Sequence, residues 1–384
     1  MSIPQARTAP AAIPLRPAPE APAVGRARSL APVRAWLWVV AGCIFAMVIV
    51  GGATRLTQSG LSITEWKPVM GVLPPLSEAA WAAEFERYKR IPQYALLNAD
   101  MTLSGFKSIF YWEWAHRLLG RVVGSLVLLP LAFFWLTGRL TPALKPRLVG
   151  LFLLGGMQGV IGWFMVKSGL SARTEVSQYF LALHLVTASL AFVWAIWLAE
   201  GLRRAAPARR TPALYRFRTT STALVWLVML QIGLGTFVAG LHAGLSYNTW
   251  PLMDGHAVPP LADLARQSPL WSNLFENVTT VQFDHRTAAY VVLLVALFHA
   301  ADAWSKAPGT GASRRAGLLL LAVLTQAAIG ITTLLLVVPL WAALLHQAFA
   351  MVVLGTAVLH RRRLAAPALR VVQAAQAAAS PARA

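Results

Sequence analysis

Cysteine and acidic side chains are what this sequence has least of. Its 384 residues hold a single cysteine, Cys43, set inside an apolar run. One cysteine excludes an intramolecular disulfide, a thiolate metal cluster and covalent cofactor attachment through Cys-x-x-Cys-His. Charged residues make up 12% of the chain, and 14 acids stand against 34 lysines and arginines. So small a charged complement does not clothe a water-soluble domain of this length. In its place are 57% hydrophobic residues, gathered in long blocks instead of short amphipathic stripes, and that distribution defines an integral membrane protein.

Runs of about 18 or more mainly apolar residues predict eight spans, near 35–53, 113–136, 147–166, 177–199, 219–241, 283–303, 316–337 and 341–360. The net charge of +20 would suit nucleic acid if it formed one surface, but it follows the loops instead. Arg139, Lys145 and Arg147 share one short loop, and Arg203, Arg204, Arg209, Arg210, Arg216 and Arg218 another; Lys306, Arg314, Arg315, Arg361, Arg362 and Arg363 lie on the same side. The loop 242–282 opposite carries Arg266 against Asp254, Asp263 and Glu276. The basicity is therefore topological: it places both termini in the cytoplasm or matrix and reports the lipid bilayer, not nucleic acid, as partner. Residues 1–33 and 364–384 are expected to be disordered tails. The proline density of the first tail disfavours the amphipathic helix of an organelle presequence, so a bacterial inner membrane is the expected location and the mitochondrial inner membrane the alternative.

Laid on itself, the chain repeats. "GLSITEWKPVMGVLPP" (60–75) after the first span matches "GLSYNTWPLMDGHAVPP" (244–260) after the fifth; "AHRLLGRVVG" answers to "DHRTAAYVVL", "MQGVIGW" to "TQAAIGI", and "FLALHLVTASLAF" to "WAALLHQAFAMVVL". The expected fold class is an all-α integral membrane protein of eight transmembrane helices, arranged as two tandem four-helix bundles, 34–200 and 219–363, joined by a basic linker, 201–218. Four spans per copy give both copies the same orientation, as in a parallel repeat.

In each copy the second and fourth spans carry a histidine near the end that enters from the outer side: His116 and His184, then His285 and His346. A lone intramembrane histidine is more often a packing or hydrogen-bonding residue than a ligand. Two such residues at matching positions of a repeat reverse that preference, because facing imidazoles from two helices of a bundle suit the axial positions of a haem iron. Zinc fits less well, since no third or fourth ligand recurs beside either pair. Arg117, Arg121 and Arg286 follow the histidines at the outer boundary, where they either neutralise haem propionates or snorkel to headgroups. His299 and His360 lie fourteen residues after His285 and His346, the pattern of a second, inner haem; copy one lacks it, with Pro130 and Leu198 there, and "HRRR" reads more simply as a solvated helix end. His242 and His256 have no evident partners in the outer loop.

Where the outer loops align, Glu65 of copy one meets Thr249 of copy two. A carboxylate at that place is either a base, water-orienting or charge-stabilising group beside a haem, or an ordinary loop acid. The asymmetry makes copy one the candidate reaction chamber, and its longer outer loop, 55–112, a candidate lid.

Together "GGATRLTQSGLSITEWKPVMGVLPP", "EWAHRLLGR", "FDHRTAAY" and the histidines of spans four and eight resemble the haem A synthase family, over residues 35 to 363. The resemblance implies that His116 and His184 hold the substrate, haem O, that His285 and His346 hold a haem b cofactor, and that Glu65 corresponds to a catalytic outer-loop acid. It implies successive hydroxylations of one haem methyl to a formyl group. Haem O synthase, oxidase-assembly factors and an electron donor such as ferredoxin are the partners it suggests, with a homo-oligomer left open. The outer-loop cysteine pairs that some bacterial members carry are missing here, so the chain resembles the branch shared by proteobacteria and mitochondria. Two other readings remain at this point: a di-haem b-type cytochrome carrying electrons, and a haem carrier without chemistry.

Overall fold

A computed structural model describes residues 29–66, 70–171, 173–203 and 211–364. Most of the first tail, the centre of the basic linker with Arg204, Arg209 and Arg210, and residues 365–384 lie outside the described residues. Among the described residues there are twelve α-helices: α1 Ala31–Leu56, α2 Glu78–Tyr88, α3 Pro92–Leu97, α4 Leu103–Leu136, α5 Lys145–Gly169, α6 Gln178–Gly201, α7 Pro212–Gly240, α8 Leu261–Leu264, α9 Asn273–Glu276, α10 Val278–Lys306, α11 Gly311–Leu335 and α12 Leu340–Arg363. Eight of them, α1, α4 to α7 and α10 to α12, are long and apolar enough to cross a bilayer, and they coincide with the eight predicted spans. The protein is an all-helical, multi-pass membrane protein.

Helix starts follow local chemistry. Proline occupies the first turn of α1, α3, α5 and α7, where its missing N–H leaves nothing unsatisfied. Thr102, Thr211, Asn277 and Thr310 cap α4, α7, α10 and α11 through their side-chain oxygens, each satisfying an otherwise orphaned amide. Pro130 stands inside α4 and cannot donate to the carbonyl of Leu126 one turn earlier. The Trp36 indole of α1 donates to that carbonyl instead, at 2.7 Å. A helix defect thus becomes an inter-helix bond.

The first half packs α1 against α4 and α6, and α5 against α4 and α6; the second packs α7 against α10 and α12, and α11 against α10 and α12. The halves meet through α1, α6, α7 and α12. One hydrophobic core, including Leu37, Ala195, Leu224, Ala300 and Leu354, runs through both, so the two expected bundles do not have separate cores. Glu200, 4% exposed, is paired by Arg34, Arg203 and Arg363, which ties α1, α6 and α12.

The predicted boundaries differ by a few residues at several helix starts, and most at the second span. The second span was expected from residue 113, yet α4 begins at Leu103. Ten extra residues lengthen it by about 15 Å, and this extension carries a second core of Trp81, Phe85, Tyr88, Phe106 and Phe110. The Tyr88 hydroxyl donates to Gln93 and accepts from Asn98, while Gln93 donates to the carbonyl of Gln58. The loop expected as a lid is, in its described part, a packed cap over the N-terminal end of α4.

Candidate functional site

Each site histidine rests against a glycine of a neighbouring helix. An added Cβ at Gly51 would lie 3.0 Å from His116 Nε2, at Gly162 3.4 Å from His184 Cε1, at Gly235 3.0 Å from His285 Cε1 and at Gly330 2.7 Å from His346 Cε1. These glycines lie within two turns of the C-terminal ends of α1, α5, α7 and α11. Bare backbone is what lets an imidazole stand between two helices there.

The rings of His285 and His346 have centroids 6.4 Å apart, with planes at 74°. Two imidazoles on one metal, with about 2 Å per metal–nitrogen bond and about 1 Å from nitrogen to ring centre, have centroids roughly 6 Å apart. The pair fits a metal between its rings. His116 of α4 and His184 of α6 stand against Gly51 of α1 and Gly162 of α5.

His299 and His360 do not fit. Their centroids are 4.9 Å apart and their Nε2 atoms 2.7 Å apart in a direct hydrogen bond, which leaves no room for iron between them. The Nδ1 of His299 is 2.6 Å from the Thr220 hydroxyl. The expectation of a solvated His360 is also corrected: it is 1% exposed, because the hydrogen bond to His299 draws it between α7, α10 and α12. These two residues form a structural polar bridge.

Around His116 the chain builds a charged wall. Glu113, one turn earlier on α4 and 2% exposed, accepts from the Ser62 hydroxyl (2.8 Å), the Ile63 amide (2.7 Å) and Arg117 Nε (3.0 Å). Arg117 also donates to the carbonyls of Glu65 (3.0 Å) and Ile63 (2.7 Å). With a further donation from Nη2 to Glu113, four of its five N–H groups are used by the protein. Glu65 is 43% exposed in its side chain and pairs with Arg87 at 3.3 Å. With Thr64, Trp66, Arg117, Trp163 and Lys167 it lines a cavity of about 100 Å3. Glu113 was not singled out from sequence, although "EWAHR" sets it on the histidine's side of the helix; the signal was its spacing of three from His116.

Arg286 repeats the contact made by Arg117: it donates to the carbonyls of Thr249 and Pro251, both at 3.0 Å. Its Nη1 is buried and has no partner, a donor poised for an anion such as a propionate. Arg121 lies one turn beyond Arg117 on the same helix. His242, expected to lack partners, instead donates to Glu175 at 2.8 Å, and Arg55 donates to Glu175 at 2.7 Å. Burial alone would raise the Glu175 pKa, but the His242 hydrogen bond and the Arg55 charge hold it below the usual carboxylate value. This cluster ties the C-terminal ends of α1 and α7 to the segment between α5 and α6.

Fold and site define a multi-pass helical membrane protein with paired imidazoles toward one end of its helices. A family model described as cytochrome oxidase assembly protein (COX15-CtaA) matches residues 34–358, and the chain belongs to that family. It is 55% identical to a protein of Beijerinckia indica over 340 residues, covering 88% of this chain and 94% of the relative. It is 57% identical to one of Chelativorans sp. over 330 residues, covering 86% and 90%, and 55% identical to one of Brucella ovis over 330 residues, covering 86% and 91%. All three relatives are named haem A synthase.

Proposed function

We infer that this protein is a haem A synthase, an oxidoreductase that converts a methyl group of haem O to a formyl group by successive hydroxylations and so supplies haem A for terminal oxidases. The carrying observation is the His285–His346 pair at bis-imidazole spacing, within a chain that matches the family over 34–358. The two halves are read as products of an internal duplication: 34–200 takes the substrate and 219–363 the permanent cofactor.

His116 and His184 hold the iron of haem O, and His285 and His346 hold haem b. When bound, haem b supplies one-electron redox chemistry. Arg286, Arg121 and the remaining N–H of Arg117 meet propionates. Glu65, at the cavity, acts as base or charge-stabiliser for the oxidised methyl carbon; Glu113, closer to the ligand along α4, fixes Arg117 and the 62–65 loop and is the second carboxylate of the chamber. The first hydroxylation, a two-electron oxidation of the methyl carbon at the expense of dioxygen, gives an alcohol, a second such step gives a gem-diol, and loss of water gives the aldehyde. The protein sits in a bacterial inner membrane with both termini cytoplasmic, receives electrons from a donor such as ferredoxin, and works beside haem O synthase and oxidase-assembly factors.

The test is to express wild type and Glu65→Ala in membranes that supply haem O, extract the haems and separate them by chromatography with mass detection. Haem A or its alcohol precursor in wild type, reduced in the variant, supports the reading. Only unmodified haem O and haem b, despite oxygen and reductant, would favour a carrier or a cytochrome. The direct His299–His360 hydrogen bond argues against a cytochrome with haems at two depths.

A further inference from the structure

The cavity beside Glu65, about 100 Å3 in volume, is lined by a cation that the functional reading leaves unused. Arg117, which follows His116 on α4, forms one wall, and Trp163 forms another, following on α5 the glycine that seats His184. Lys167 stands one turn beyond Trp163 and lines the same space. The cavity therefore adjoins one imidazole of the first half and the seat of the other. Its two cations each lie over a tryptophan: the Arg117 guanidinium is 5.9 Å from the Trp66 ring centroid and the Lys167 ammonium 5.2 Å from that of Trp163. Their ion pairs differ. Arg117 is paired with Glu113, and Glu65 with Arg87, whereas among the described residues no carboxylate pairs with Lys167. An indole face satisfies none of its three N–H donors as an anion would.

A lysine in the last turn of a membrane helix ordinarily reaches for headgroups or complements the helix dipole. The second half speaks against both needs: α11 ends in the same way, yet carries Ile331 and Leu335 where α5 carries Trp163 and Lys167. Glu65, Trp163 and Lys167 all line this one cavity, and all three are exchanged, for Thr249, Ile331 and Leu335, in the half read as holding the permanent cofactor. We propose that Lys167 is a substrate-binding residue, whose ammonium takes a propionate carboxylate of the porphyrin bound in the first half. This deepens the haem A synthase reading and rests on it. Each pyrrole of a haem that bears a propionate also bears a methyl on the adjoining carbon. An ammonium for the carboxylate and a carboxylate, Glu65, for the methyl therefore belong in one cavity. The flexible lysine stem lets the ammonium exchange a weak cation–π contact for a charge-assisted hydrogen bond. It also holds the anion as a point charge without the bidentate grip of arginine, which suits a molecule that must leave as product.

The experiment titrates purified full-length protein that retains haem b with haem O and with haem O dimethyl ester, whose propionates carry no charge, and follows the low-spin absorbance gained at the substrate site. Lys167→Leu copies the second half, and Lys167→Arg keeps the charge; retained haem b reports that each variant has folded. For haem O, the dissociation constant is expected to rise about 10-fold in Lys167→Leu, the loss of one charge-assisted hydrogen bond, and to stay near the wild-type value in Lys167→Arg. For the ester, wild type and Lys167→Leu are expected to bind alike. In turnover, Lys167→Leu should raise KM and leave kcat nearly unchanged. A packing role would weaken both ligands by the same factor. Equal losses for haem O and its ester, or wild-type affinity for haem O in Lys167→Leu, would overturn the proposal while leaving the functional reading intact. Wild type that neither binds nor oxidises haem O would overturn both.

Discussion

Glycine-to-alanine substitutions at the four histidine seats should have graded effects, because the contacts differ by more than half an ångström while the chemistry of the change is the same. Carbon atoms pack best at about 3.5–4.0 Å. At Gly330 the new methyl would stand 2.7 Å from His346 Cε1 and 3.1 Å from its Nδ1, so the ring must retreat by roughly 0.8 Å to reach ordinary contact. A ligand displaced by that much loses its aim at the iron, and a loss of about 10- to 100-fold in haem affinity is expected, or about 1.4–2.7 kcal/mol. Gly51→Ala and Gly235→Ala, at 3.0 Å, should lie between. Gly162→Ala, at 3.4 Å from His184, is at the edge of normal packing and should retain its haem. Gly156, with nothing within 4 Å of an added Cβ, serves as control. The assay is haem per polypeptide after size exclusion, followed by low-spin absorbance. Full haem occupancy in Gly330→Ala, or a larger loss in Gly162→Ala than in Gly330→Ala, would refute the idea that these glycines exist to seat imidazoles.

Other outcomes follow from the same contacts. Glu113→Ala leaves Arg117 buried against the loop without its counter-charge, and breaking such a pair costs about 3–5 kcal/mol; thermal denaturation and haem A yield should both fall, the yield at least as far as in Glu65→Ala. His299→Leu with His360→Leu should leave haem content unchanged, and loss of one haem per chain would restore the inner-haem reading. Gly52→Leu would drive its side chain into Gln347 of α12, which donates to the Val48 carbonyl at 2.7 Å. It should cost about 1–3 kcal/mol of stability, visible in detergent melting. For Glu175, whose folded pKa is depressed, the stabilising contribution is complete above its ordinary value of 4.5 and is lost as pH falls through the lower folded value. Wild type should therefore lose more stability than Glu175→Gln over that acid range.

The eight spans were legible because a helix that crosses a bilayer writes its whole length in apolar residues. The four candidate histidines stand out because they are polar groups at repeated positions in those runs. What escaped was set by side chains meeting across long sequence separations. The start of α4 at Leu103 was hidden because its first two turns face a protein cap instead of lipid, so hydropathy does not mark them. Arg55, Glu175 and His242 come from three separate outer segments, and no periodicity joins them. The pairing of His299 with His360 was mistaken for an inner-haem pattern or a wet helix end, since a spacing of fourteen residues puts two rings on one face without stating their separation. The glycine seats were visible only as small residues in a membrane helix, a role that helix packing alone explains.

The division of labour between the halves is best tested by removing one histidine pair at a time. His116→Leu with His184→Leu, and His285→Leu with His346→Leu, would be purified from membranes that supply haem O, and the extracted haems identified by mass. The first variant should keep haem b and lose haem O and its oxidised products; the second should lose haem b, retain haem O and make no haem A. Haem O or haem A still bound when His116 and His184 are gone would contradict the assignment of the substrate to the first half.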